Sequence, residues 1–426
     1  MPRTYWVETL GCPKNEVDSD KLVGTLVADG MVPAADPAAA DLVVVNTCAF
    51  VEEAREESVA TILALDERRA EGSRLVVTGC MAERYGGELA DALPEVDAVA
   101  GFGVPVALGA RPAHRAPAGD AVPSFDLLNL PRPASARPWA YVKVAEGCDK
   151  ACGFCAIPSF RGPQRSRSID SVLAEVDALG VQEVVLVAQD LAAYGRDLSD
   201  DEPGERAIVP LVRALAERVP WVRLLYLYPS ELTDELLELI AAGPVPYFDL
   251  SLQHVSAPLV RRMRRWGNGQ RYLERIRTIR SLAPDAALRS NFIVGYPGET
   301  EEDHDRLLEF VAEARLDWCG FFSYSAEEGT HAAGLDGTVA PGLVAERLRE
   351  LSELQDRITA ERRDELIGTE LTVLVDEPGR ARSHREAPEI DGIVEVPGDL
   401  AVGGFHAVRV VGATGPDLRA EPVTAP

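Results

Sequence analysis

The chain has 426 residues, 46% hydrophobic and 26% charged, enough for two or three domains that each bury a core. A net charge of −26 argues against a protein built mainly to grip nucleic acid, where neutralising phosphates takes a basic surplus. It leaves an acidic, solubility-favouring composition or a basic macromolecular partner.

In chain order, β-branched runs at 4–9, 41–46 and 74–78 alternate with helical stretches at 18–29, 52–70 and 83–92. That alternation predicts a small parallel α/β domain. Seven prolines between Pro105 and Pro138 read as a linker or extended crossover. From Trp139 strands are expected near 141–145, 183–188, 223–228, 247–251, 287–294 and 318–324. Helices are expected near 169–179, 209–218, 233–242, 257–265, 270–283, 300–315 and 343–366. Six βα units predict an incomplete barrel with its active residues at the strand C-termini. Beyond Thr369, strand-like runs at 372–375, 392–396 and 407–411 predict a small all-β module carrying ten acidic residues against five arginines. The expected domains are 1–112, 138–366 and 367–426, with a linker at 113–137.

Met1 to Trp6 lack the apolar core of a signal peptide, and the longest apolar stretch, 98–110, is too short for a bilayer and is broken by Gly and Pro. The expected location is the cytoplasm. Seven cysteines spread over a long chain do not form a disulfide framework.

Cys148, Cys152 and Cys155 form a CxxxCxxC triplet just after the first barrel strand. Three thiolates can hold three corners of a 4Fe–4S cluster and leave the fourth iron free, whereas a structural zinc site wants four ligands. Phe154 is placed to shield such a cluster or to pack against an adenine. Cys12, Cys48 and Cys80 each follow one N-terminal strand. Alone, each is a small buried hydrophobe. Together, at one edge of a parallel sheet, they converge and imply a second open cluster. Cys319, inside a strand, reads as core.

Gly295 and Gly298 allow a close backbone approach to a ligand, and Glu299 caps the next helix or contacts that ligand. Gln253 and His254 end a strand on the same face, where a lone histidine is more often packed than catalytic. Arg261, Arg262, Arg264 and Arg265 read as a solvated helix face.

Two triplets in this order, followed by a small β module, resemble the methylthiotransferases of the radical S-adenosylmethionine (SAM) superfamily. The resemblance covers essentially the whole chain. It implies an N-terminal cluster domain, a partial (βα)6 radical SAM barrel and a C-terminal TRAM module. It also implies two 4Fe–4S clusters, with Cys148, Cys152 and Cys155 on the SAM-cleaving one and Cys12, Cys48 and Cys80 on the one that delivers sulfur. Within the family, Gly11-Cys12-Pro13-Lys14-Asn15 differs from the Gly-Cys-Gln-Met-Asn start usual in the transfer RNA enzymes. Leu252-Gln253-His254, the acidic run 324–330 and Ala387-Pro388-Glu389-Ile390-Asp391-Gly392 likewise resemble the branch acting on an aspartate of ribosomal small-subunit protein twelve. Leu191 and Ala192 depart from that branch, which often has Thr-Ser there.

The implied mechanism removes a hydrogen from the aspartate β-carbon with a SAM-derived radical and places a methylated sulfur there. A low-potential electron donor, a monomer, and no membrane or transfer RNA partner go with it. Two other readings stay open: a transfer RNA adenosine methylthiotransferase, and a non-enzymatic iron–sulfur or zinc RNA-binding protein.

Overall fold

Valine-rich runs near the N-terminus pair into one parallel sheet in the computed structural model, which describes residues 2–106, 125–198 and 206–423. Strands β1 (Thr4–Thr9), β2 (Val32–Pro33), β3 (Leu42–Thr47), β4 (Arg74–Gly79) and β5 (Ala98–Val99) lie in the order β2-β1-β3-β4-β5. All six residues of β3 are buried, as a central strand covered on both faces requires. Helices α1 (Pro13–Ala28), α2 (Glu52–Arg68) and α3 (Cys80–Ala92) connect the strands. Both α1 and α3 start earlier than expected. Pro13 fits the first turn of α1, where its missing amide hydrogen is no loss. Cys12 therefore caps one helix and Cys80 opens another.

Residues 107–124 of the expected linker lie outside the described residues. From 125 onward the segment is packed rather than free: Leu127 and Leu128 are buried, and Lys21 Nζ donates to Leu128 O at 2.5 Å.

The middle of the chain forms β6 (Trp139–Lys143), β7 (Ala145–Glu146), β8 (Arg165–Ser166), β9 (Glu183–Val187), β10 (Trp221–Leu224), β11 (Tyr247–Gln253), β12 (Ala287–Val294) and β13 (Trp318–Ser323). Six of these run parallel, β10-β9-β6 in one sheet and β11-β12-β13 in another, joined by a single bridge from Leu227 to Leu250. Strand β10 is shorter than expected. Tyr226 adopts φ +63° and gives its amide to Asp249 Oδ2 at 2.9 Å, which ends the regular ladder. Around the strands lie α4 (Ile157–Arg161), α5 (Ile169–Leu179), α6 (Ile208–Ala216), α7 (Asp234–Ala242), α8 (Ala257–Arg262), α9 (Gly269–Leu282), α10 (Glu301–Ala314) and α11 (Pro341–Asp364). Ser168, Thr233, Asn268 and Thr300 cap α5, α7, α9 and α10 through their side chains.

The N-terminal module spans the two edge strands. Val17 and Asp18 of α1 pack against β6, while Arg55 of α2 and Arg84 of α3 both reach Glu327, beyond β13, at 2.6 Å. Glu327 is buried, so the acid in the 324–330 run serves this internal junction.

The tail closes into a five-stranded barrel of β14 (Glu370–Glu377), β15 (Arg380–Arg382), β16 (Val394–Glu395), β17 (Phe405–Thr414) and β18 (Asp417–Pro422), in the order β14-β15-β16-β18-β17. It has two more strands than expected, and the run at 392–396 contracts to β16. This small barrel plugs the N-terminal end of the large one. Leu374 and Ala387 join Trp139, Trp221, Tyr247 and Trp318 in one apolar cluster. Glu183 is wholly buried between Arg223 and Arg382, 2.7 Å from each. The C-terminal ends of the strands are left free for chemistry.

Candidate active site

The loop from β7 to α4 carries Cys148, Cys152 and Cys155. It needs Gly147, at φ +81°, because a side chain there would collide with the Gly162 and Pro163 carbonyls. Backbone bonds from Cys148 N to Gly162 O (3.1 Å) and from Gly153 N to Met263 O (2.8 Å) pin the loop. Arg265 Nη1 donates to Cys152 Sγ at 3.1 Å, and the Lys150 amide lies 3.4 Å from Cys148 Sγ. Burial pushes Cys148 up to about 11 and Cys155 up to about 12. Both are neutral thiols until a metal displaces the proton.

The expected convergence of Cys12, Cys48 and Cys80 is present at the edge where β1, β3 and β4 end. The side chain of Asn15 sits among them: Nδ2 donates to Leu10 O (2.9 Å) and Thr47 O (3.0 Å), and Oδ1 lies 3.6 Å from Cys80 Sγ. Burial raises Cys48 to about 11 and raises Cys80 as well. Burial also works to raise Cys12, but Lys14, Arg161 and nearby backbone amides outweigh it and hold this thiol below the usual cysteine range. In iron-free protein at neutral pH, Cys12 should therefore react with iodoacetamide faster than Cys48. Peptide mass spectrometry reads the rates, and equal rates would refute that electrostatic assignment.

A buried charge network joins the two sets. Arg161 Nη2 donates to Cys80 Sγ (2.9 Å) and Asn15 Oδ1 (3.0 Å), while Nη1 donates to Glu146 Oε1 (2.7 Å). Glu146, two residues before Cys148, also accepts from Lys143 Nζ (2.7 Å) and Gln189 Nε2 (2.9 Å). Burial opposes its charge, yet Arg161 and Lys143 hold the carboxyl well below the usual range. Lys143 in turn meets Asp18 on α1.

Each set offers three thiols, at least one of which accepts a guanidinium hydrogen bond. Such donors favour thiolate, the form that ligates iron. Among the described residues, no three His, Cys, Asp or Glu side chains stand close enough together to share one metal ion. A cubic cluster with iron at each corner holds its thiolates further apart than a single zinc does. Cys319 packs in β13 near Arg289, and burial raises it.

The other expected residues divide. Phe154 packs with Leu259, Met263, Tyr296 and Ala332 directly behind the triplet. Gln253 ends β11 at φ +74°, a conformation that a non-glycine residue rarely adopts. His254 is fully buried and accepts from the Ser256 amide at 3.1 Å; burial lowers it to about 4, so it is a packed neutral ring. Both carboxylate oxygens of Glu299 are engaged by the chain itself. Its Oε2 takes the amides of Gly295 (2.5 Å) and Tyr296 (3.2 Å), and its Oε1 takes Arg347 at 2.9 Å. It does not cap α10, where Thr300 and Asp303 form the capping box. The room left by the missing side chains of Gly295 and Gly298 is filled by Val344 and Arg262, so the close approach there is made by the chain itself.

Arg265 was expected on a solvated face. Helix α8 ends at Arg262, and Arg264 turns the chain at φ +54°, which swings Arg265 over the Tyr228 ring (4.1 Å) and onto Cys152. Arg261, Arg262 and Arg264 remain exposed. Sequence reasoning also missed Arg161 and Glu146, whose only local signal is their closeness to the triplet.

A cavity of about 460 Å³ opens beside Cys12, lined by Glu16, Asp20, Arg137, Tyr141 and Glu389 among others. Arg137 bridges Glu16 (3.2 Å) and Glu389 (2.6 Å). Burial, then Glu389, raise Glu16 to about 7. Its folded value lies above the unfolded one, so its stabilising contribution is full below about pH 4.5 and is lost as pH rises through about 7. Glu16→Gln should raise the melting temperature at about pH 8 and leave it little changed at about pH 5. An unchanged difference between the two would refute this.

Three family models match the chain: "Uncharacterized protein family UPF0004" over residues 4–101, the radical SAM superfamily over 142–311, and the TRAM domain over 367–423. A ribosomal protein uS12 methylthiotransferase RimO of Moorella thermoacetica is 45% identical, covering 93% of this chain and 94% of that protein. The RimO of Saccharopolyspora erythraea is 43% identical, covering 98% and 94%. Among solved structures, the radical SAM methyltransferase TsrM of Kitasatospora setae shares the fold, with a TM-score of 0.50 at 15% identity over 84% of this chain and 89% of that one.

Proposed function

The chain belongs to the RimO family of ribosomal protein uS12 methylthiotransferases, and from that premise we propose that it adds a methylthio group to the β-carbon of an aspartate in uS12. The observation that carries this reading is the pair of three-thiol sets joined by the Arg161–Glu146 link.

When bound, two 4Fe–4S clusters and SAM supply the radical, the sulfur and the methyl group, which no side chain could furnish at so weakly acidic a C–H bond. Cys148, Cys152 and Cys155 hold the SAM-cleaving cluster, and Cys12, Cys48 and Cys80 hold the sulfur-delivering one. Arg265 and Arg161 donate to one sulfur in each set, a contact that tunes a cluster's potential. Phe154, Met263 and Tyr296 keep water from the rear of the first loop. Gln253, at the C-terminal end of β11, would contribute to holding SAM there. The net charge of −26 and the carboxylates around the Cys12 cavity suit a strongly basic ribosomal protein through steering and rim pairs.

No described helix is long and apolar enough to cross a membrane, and the protein works in the cytoplasm as a monomer fed by a low-potential electron donor. The test is anaerobic reconstitution, followed by dithionite, SAM and uS12. About eight irons per chain, release of 5′-deoxyadenosine and a methylthio mass on one uS12 aspartate are expected. A methylthio mass on transfer RNA adenosine instead would overturn the substrate, and zinc without nucleoside release would overturn the chemistry.

A further inference from the structure

The chain has only four lysines. Three sit with carboxylates: Lys21 with Glu175 (3.3 Å), Lys143 with Asp18 and Glu146, and Lys150 with Glu231 (2.5 Å) and Asp190 (3.5 Å). Lys14 is different. Among the described residues its ammonium makes no ion pair, although it is half-buried in a chain rich in acid. It lies over the Tyr226 ring, 3.6 Å from the centroid, an interaction that orients the charge without neutralising it.

Its position is specific. Lys14 is in the first turn of α1, two residues after Cys12. Tyr226 and Tyr228 flank Leu227, whose backbone is fixed to β11 through Leu227 N to Asp249 O (2.9 Å). The Tyr228 ring carries Arg265, which donates to Cys152 Sγ. The path from Lys14 through Tyr226 and Tyr228 therefore spans from the N-terminal cysteine set to the barrel set. Apart from the sulfur of Cys12, whose charge it favours, the Lys14 ammonium has no anionic partner among the described residues, and a carboxylate brought by a ligand would supply one.

The methylthiotransferase reading supplies such a ligand, because the carbon to be modified is bonded directly to a carboxyl carbon. We propose that Lys14 binds the side-chain carboxylate of the target aspartate and so fixes its β-carbon between the two cysteine sets. The inference rests on that reading. The substrate supplies the carboxylate partner that Lys14 lacks among the described residues, and no internal carboxylate pair has to break to admit it.

The test is a double-mutant cycle on reconstituted holoenzyme, measuring the Kd of uS12 and of uS12 with its target aspartate changed to asparagine. Lys14→Gln should weaken binding of unmodified uS12 by about 30-fold and leave binding of the asparagine form unchanged. Lys14→Arg, which keeps a cation, should recover part of the loss. An equal loss for both forms of uS12, or no loss for either, would overturn the role of Lys14. The iron content of each variant is measured alongside, and Lys14→Arg decides if Lys14→Gln assembles poorly: Lys14→Arg binding that ignores the aspartate-to-asparagine change would also overturn it. Wild-type enzyme that leaves uS12 unmodified would remove the substrate reading itself, whereas modification that is indifferent to Lys14 would remove only this inference.

Discussion

Alanine at Cys148, Cys152 or Cys155 should abolish 5′-deoxyadenosine release, while alanine at Cys12, Cys48 or Cys80 should preserve that release and abolish methylthio transfer alone. Either change should lower the iron content from about eight to about four per chain. The two sets lie on separate elements, one on the β7–α4 loop and the other at the sheet edge, so losing one leaves the other's backbone supports in place. The measurements are iron analysis, nucleoside release and peptide mass. Loss of both activities from all six variants would show that the sets act as a single site.

Glu183→Ala should destabilise the protein by about 3–5 kcal/mol, because it leaves Arg223 and Arg382 facing each other in a water-free space. Burial opposes the Glu183 charge, but Arg382 and Arg223 hold its carboxyl below the usual range. The contribution is therefore present above the unfolded pKa and is lost as pH falls through the lower folded value. Denaturant unfolding near neutral pH measures the loss. Arg382 retains Asp376 as a partner at 2.6 Å, so the strain concentrates on Arg223. A change below about 1 kcal/mol, the range of exposed pairs, would mean that water reaches this junction.

The six cysteines were legible because strand–helix alternation turns sequence spacing into a shared sheet edge or a single loop. The barrel and the β tail were legible from the same periodicities. What sequence could not carry was partner choice at long range. Arg161 looks like an ordinary residue at the end of a short helix, yet its guanidinium lies against Cys80, and only the folded module brings residues 81 positions apart together. Glu299 follows two glycines and resembles a ligand-facing acid, but its charge is taken up by local amides and by Arg347, 48 positions later. The acidic run 324–330 marks a branch of the family in sequence, but its structural part is internal. Two arginines from the first domain turn Glu327 inward.

The plug beneath the large barrel has a consequence for biosynthesis. Glu183 and Arg382 are separated by 199 positions, so the barrel's floor can be completed only when translation has nearly finished. A nascent chain halted at residue 366 already carries all six of these thiols and the Glu183–Arg223 pair, with water beneath them where Leu374 and Ala387 would lie.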